Sequence, residues 1–281
     1  MGLFSMNYDR PGPGVPKNAP PQKAVPRFFT ILGRKFFDLI KLNLLFCIPT
    51  AVVVFLVFWI NSKTTFTPVV LLPVILLSPF VAGLTFVTRN YVREEHAFIL
   101  SDFMDAVKGN WKAFLINGAL CYAVAMVLSY SIPFYWQNGA DNGLFMVAAA
   151  VCVAVSVLLL FGQYYVPVML VTFDLGLRQV YKNALIFAIL GLWRNLLVTV
   201  LLALLVLVLY LAQIMVLTIL LAILFAVFLL FAYCSFLVNF AVYPLIDKMM
   251  IQPYKKQEAE KKRLQGADQD AEEPTFTDSQ K

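Results

Sequence analysis

Long apolar blocks alternating with short polar, mostly basic segments set the pattern of the chain. Crossing about 30 Å of hydrocarbon takes about 20 helical residues, so blocks of that length with charges only at their ends predict membrane-spanning helices. The first covers residues 39–60, after Arg34, Lys35 and Asp38, and closes on Trp59 and Asn61. The second covers 68–87, with Pro73, Pro79 and Gly83 expected to bend it. The third covers 113–135 and the fourth 144–173. Residues 195–246 carry no charge and are far too long for one crossing, so a tight turn at Ala212 and Gln213 divides them into spans at 196–211 and 216–243. The expected fold class is therefore all-α: six transmembrane helices in a membrane domain at 36–251.

The two longer connections between spans are amphipathic. Between Arg89 and Lys112, the apolar residues Phe98, Ile99, Phe103, Met104 and Val107 recur at helical spacing among Asp102, Asp105 and Lys108. Such a helix is expected to lie along the membrane surface. Residues 174–191 behave similarly, with Arg178 and Lys182 four apart on one face. Both connections end on related sequences, Ala106-Val-Lys-Gly-Asn-Trp-Lys112 and Ala188-Ile-Leu-Gly-Leu-Trp-Arg194, and Thr-Phe pairs precede them at 85–86 and 172–173. This reads as a parallel internal repeat of span, surface helix, span. Trp111 with Lys112 and Trp193 with Arg194 are then membrane-interface anchors, as Trp beside a basic residue suits the headgroup level. Arg89, Arg93, Phe98, Asp102, Phe103, Arg178 and Lys182 form the candidate partner-binding set.

Charge fixes the expected orientation. With six spans, 21 of the 22 basic residues fall on one face and Lys63 alone on the other. Basic residues are retained in the cytoplasm, so both termini are expected there. The terminal segments are polar: a Pro-rich leader at 1–35, expected to be disordered, and a tail at 252–281. Composition agrees, with 61% hydrophobic and 14% charged residues and a mean hydropathy of +0.79, which call for a bilayer as solvent. The net charge of +6 sits between and beyond the apolar blocks, which argues against nucleic-acid binding.

Catalytic chemistry finds no footing. Ionisable residues at membrane depth usually mark function, and the only charged residue inside the blocks is Lys41, at the very start of the first. The polar residues there, Asn43, Asn117, Gln163 and Asn239, suit helix-to-helix hydrogen bonds. His96 is the one histidine, so a multi-histidine metal site is excluded, and Cys47, Cys121, Cys152 and Cys234 read as packing residues. No phosphate-binding GxxxxGK[ST] loop occurs. Glu94-Glu95 departs from the paired glutamates of intramembrane prenyl proteases, because Ile99 stands where arginine is needed. No enzyme activity and no cofactor are expected.

The stretch Arg34-Lys-Phe-Phe-Asp-Leu-Ile-Lys-Leu-Asn-Leu-Leu-Phe46 with Pro49, then Ser78-Pro79, Asp102-Phe103 before Lys108 to Trp111, and Asp174 with Lys182-Asn183, resembles the YesL family of bacterial membrane proteins. The resemblance covers residues 27–247, with Ser78-Pro79 where the family usually has Gly-Pro. It implies a bacterial plasma-membrane protein and an accessory role beside carbohydrate ABC importers, with permease or ATPase subunits as partners. The alternative reading is an autonomous solute carrier or channel at the repeat interface. Self-association into a homo-oligomer is compatible with either.

Overall fold

A computed structural model describes residues 23–139 and 142–260. Helix α1 (Ala24–Arg34) precedes α2 (Phe36–Asn61), α3 (Thr67–Val92), α4 (Ile99–Asn138), α5 (Gly143–Thr172), α6 (Leu177–Leu190), α7 (Leu192–Ile214) and α8 (Val216–Glu260). Six of these, α2, α3, α4, α5, α7 and α8, are long and apolar enough to cross a membrane, and no strand occurs among the described residues. The turn dividing the uncharged 195–246 stretch falls at Ala212–Ile214, where the least apolar point of the stretch placed it.

Proline shapes α3. Pro68 sits in its first turn, and around Pro73 the chain tightens into a 3₁₀ segment, Leu72–Leu77. Pro79 starts the regular helix Ser78–Val92, where its missing N–H costs nothing. Gly83 lies within this helix, whose hydrogen-bonded course is unbroken. It gives room to its neighbour: a Cβ there would stand 2.5 Å from the Phe103 ring of α4. The Tyr122 hydroxyl donates to the Pro68 carbonyl and ties the middle of α4 to the start of α3.

The first amphipathic connection takes an unexpected course. It is no separate surface helix but the opening turns of α4, which runs unbroken for 40 residues. At 1.5 Å per residue that is about 60 Å, roughly twice the hydrocarbon thickness, so its first turns extend past the spanning part. Gly109 costs a helix only about 1 kcal/mol, too little to break it while Phe103 and Ala106 are packed inward. The second connection does form its own helix, α6, set off from α7 at Gly191. There a Cβ would collide with the Tyr165 hydroxyl and lie 3.0 Å from the Phe187 carbonyl, whereas Gly109 faces open space. The repeated sequences thus share an inward Ala and an outward Trp but differ in path: Trp111 is 47% exposed and Trp193 80%.

The leader is helical where it is described, a correction to the expectation of disorder. Ile31 of α1 is fully buried, and Phe28 packs on Phe236 and Phe240 of α8. An apolar face with a partner helix repays the ordering entropy that a free Pro-rich segment cannot. Residues 1–22 and 261–281, the rest of leader and tail, lie outside the described residues.

The buried core gathers at one end of the bundle, where α1, the start of α2 and the ends of α3, α5 and α8 meet. Most of the basic residues cluster around it, and it is called the basic end below. Toward the opposite end, the later turns of α7 and the first turns of α8 form a hairpin with no buried residue in Val216–Phe225, and α8 meets α2 from Ala226 onward.

Candidate functional site

The polar side chains at membrane depth are bound to one another or to backbone, except that the buried Asn239 Oδ1 has no hydrogen-bond partner among the described residues. Asn43 of α2 is fully buried against α8, at a π-helical segment, Ala226–Leu230. A π turn displaces the regular i→i−4 bonds, and Asn43 takes up the freed groups. Its Nδ2 donates to the Ala226 and Val227 carbonyls at 3.1 and 2.7 Å, and its Oδ1 accepts from Ala232 N at 2.9 Å. Asn117 and Gln163 exchange amide bonds between α4 and α5, and the Tyr181 hydroxyl of α6 donates to Asn117. Asn195 accepts from Tyr165 at 2.8 Å and donates to Ala188 O at 3.0 Å. Asn239 donates to the Thr88 hydroxyl at 2.8 Å.

Arg89 carries the one charge drawn deep into this end among the described residues. Expected in a connection, it instead lies inside α3 and is 6% exposed. Its Nη1 donates to Val171 O at 2.7 Å and to Thr172 Oγ1 at 3.0 Å, and its other edge meets Asn90 Oδ1. The guanidinium also stacks 4.5 Å from the Phe86 centroid. Arg89 therefore clamps the end of α3 to the end of α5 and offers nothing to a partner.

The turn after α3 needs a left-handed residue, and Glu94 takes it with φ 59°. Glu94 N donates to Tyr91 O and Glu95 N to Asn90 O, the paired bonds that close a helix C-terminus when the next residue is left-handed. That turn points the Glu94 carboxylate at α1, where Arg34 binds it at 2.7 Å and Arg27 at 3.2 Å. Arg27 also donates to Val92 O at 3.0 Å. The Arg34 hydrogen bond, helped by Arg27 and opposed by partial burial, holds the Glu94 carboxyl below the usual carboxylate range.

A carboxyl depressed in the fold stabilises it fully above its unfolded value near 4.3, and that contribution is lost as pH falls through the folded value. A nitroxide on Thr30→Cys, in a chain without its native cysteines, should therefore gain mobility as pH drops from about 6 to about 3. Glu94→Gln should show the mobile spectrum throughout. A label equally immobile at every pH in both chains would separate α1 docking from Glu94.

The basic end also holds a cleft of about 700 Å³ between α1, the turn after α3, the segment after α5 and the last turns of α8. Arg27, Arg93 and Lys255 line it, with Glu95 and Asp247 as the acidic side chains. Arg93 pairs with Glu95 at 2.6 Å and lies 5.8 Å from the Tyr243 centroid.

The expected partner-binding residues separate into different settings. Arg93 is exposed and lines the cleft. Phe98 is 70% exposed just before α4, against His96. Asp102 closes the start of α4 by accepting from Phe98 N at 2.9 Å. Phe103, at 1% exposure, is core, a second correction besides Arg89: periodicity marks an apolar face but not whether a neighbouring helix already covers it. Arg178 and Lys182 are exposed on α6 and carry no ion pair among the described residues. Arg27, Glu94, Tyr243 and Lys255 escaped sequence reasoning, because only the packing of α1 and α8 brings them together. Pro244, in an uncharged span near its end, was the one available signal that α8 becomes irregular there.

Residues 39–132 match a family model described as protein of unknown function, DUF624. That match covers the first three spans and α4's opening turns. No curated protein and no solved structure matches the chain.

Proposed function

We propose that this chain is a non-enzymatic accessory or assembly subunit of the bacterial plasma membrane, with cytoplasmic termini, that associates with carbohydrate ABC importers. The observation that carries this reading is how the polar side chains at membrane depth are used. Asn43, Asn117, Gln163, Asn195 and Asn239 are engaged with neighbouring helices, as a scaffold requires and a solute path does not. The YesL resemblance supports the importer association, and the DUF624 match is consistent with that resemblance alone. Arg178 and Lys182, solvent-facing and unpaired, are the natural contact points for an acidic surface on a permease or ATPase subunit.

Affinity purification from native membranes in mild detergent tests the proposal. Importer subunits should be recovered in stoichiometric amount, and Arg178→Glu with Lys182→Glu should reduce that recovery at least tenfold, to about 10% or less, at unchanged membrane content. Recovery of the chain alone in every detergent would overturn it. Unaided solute movement by the purified chain in liposomes would favour the carrier reading.

A further inference from the structure

The structure assigns the cleft at the basic end to a phosphate-bearing amphiphile, which we propose is an anionic phospholipid held by its headgroup at Arg93 and Lys255. This stands independently of the importer association. The first argument is depth. The cleft opens where α3 and α5 end, since Val92 and Thr172 both line it and are the last residues of those helices. Helix ends of membrane-spanning length lie at the headgroup level, where phosphate groups are concentrated.

The second argument is the chemistry of the walls. Leu175, Met250 and Ile251 supply an apolar side suited to an acyl or glycerol stem, while Arg27, Arg93 and Lys255 supply the donors. Basic pockets between helices at the membrane boundary are the usual receptors for anionic headgroups. The two carboxylates are already engaged, Glu95 with Arg93 and Asp247 with the Gln252 amide at 2.8 Å. Lys255 has no carboxylate partner among the described residues.

The third argument is the backbone. Pro244 has no N–H for the preceding turn, and α8 then runs through a π segment, Asp247–Ile251. Three cleft residues, Asp247, Met250 and Ile251, come from that segment. Such wide turns recur at binding sites, where they reposition side chains that a regular helix would turn away.

The test uses the purified full chain in detergent, with native mass spectrometry for binding and thermal unfolding as a fold control. Phosphatidylglycerol, phosphatidylcholine and glycerol 3-phosphate are the probes. Phosphatidylglycerol should bind the native chain, and Arg93→Gln with Lys255→Gln should bind it roughly thirtyfold more weakly while unfolding at the native temperature. Arg178→Gln with Lys182→Gln, which removes the same charge away from the cleft, should bind as the native chain does. Equal binding of phosphatidylcholine, or equal losses in the two double variants, would overturn the site. Glycerol 3-phosphate binding as tightly as the lipid would keep the phosphate site and overturn its lipid source.

Discussion

Replacing Phe103 by alanine is expected to cost about 3–5 kcal/mol, the range for deleting a buried phenyl ring from a core that cannot collapse around the gap. Phe103 is 1% exposed, and its ring lies so close to Gly83 that a single added carbon there would overlap it. The ring therefore fills the space between the α3 backbone and α4, and its removal leaves a gap there. Unfolding in mixed detergent, followed by tryptophan fluorescence, should shift to clearly lower denaturant. Phe98→Ala, at a 70% exposed position, should shift it little and serves as the control. If Phe103→Ala were as stable as the native chain, the ring would not be the packing element that joins α3 to α4.

Asn43→Leu should be the most damaging change inside the membrane-spanning part. Leucine keeps the branched shape and heavy-atom count of asparagine, so the main change is the loss of its polar groups. Three backbone groups of α8, the carbonyls of Ala226 and Val227 and the N–H of Ala232, lose their partner where no water can replace it. Interhelical hydrogen bonds in membranes are worth about 0.6–2 kcal/mol each, which gives a loss of about 2–6 kcal/mol for the three. Hydrogen exchange of the amides around 226–232 should rise in the same variant. Unaltered exchange and stability would mean that the π segment holds itself without α2.

Much of the architecture was legible in the residues. Most of the span ends could be read because hydrocarbon tolerates neither charge nor an unpaired backbone, so a Lys, Arg or Asp stands near them. The turn at Ala212 and Gln213 was readable because Gln213 is the most polar point of a long uncharged stretch. Other features depend on packing that periodicity cannot carry. Arg89 looked like a loop residue because a charge normally ends a span, yet Val171 O and Thr172 Oγ1 from a helix distant in sequence let it stay inside. Phe98 and Phe103 belong to the same apolar pattern, and only the course of α3 separates the exposed ring from the buried one. The docked helix α1 was hidden by the prolines around it, and the π segments leave no signature beyond Pro244.

The arrangement of six spans, with α1 and the end of α8 together at the basic end that is proposed to face the cytoplasm, is tested most directly by thiol accessibility in intact cells. Single cysteines would be placed at Ser62, Asn138, Ser101 and Gln257 in a chain lacking Cys47, Cys121, Cys152 and Cys234. Ser62 and Asn138 follow or end helices at the far end, whereas Ser101 and Gln257 belong to the basic end. Positions 62 and 138 should react with a membrane-impermeant maleimide from outside, and positions 101 and 257 only after permeabilisation, since basic segments are retained inside. Labelling of position 257 from outside, with position 101 still protected, would put the end of α8 across the membrane from the start of α4 and contradict the six-span account.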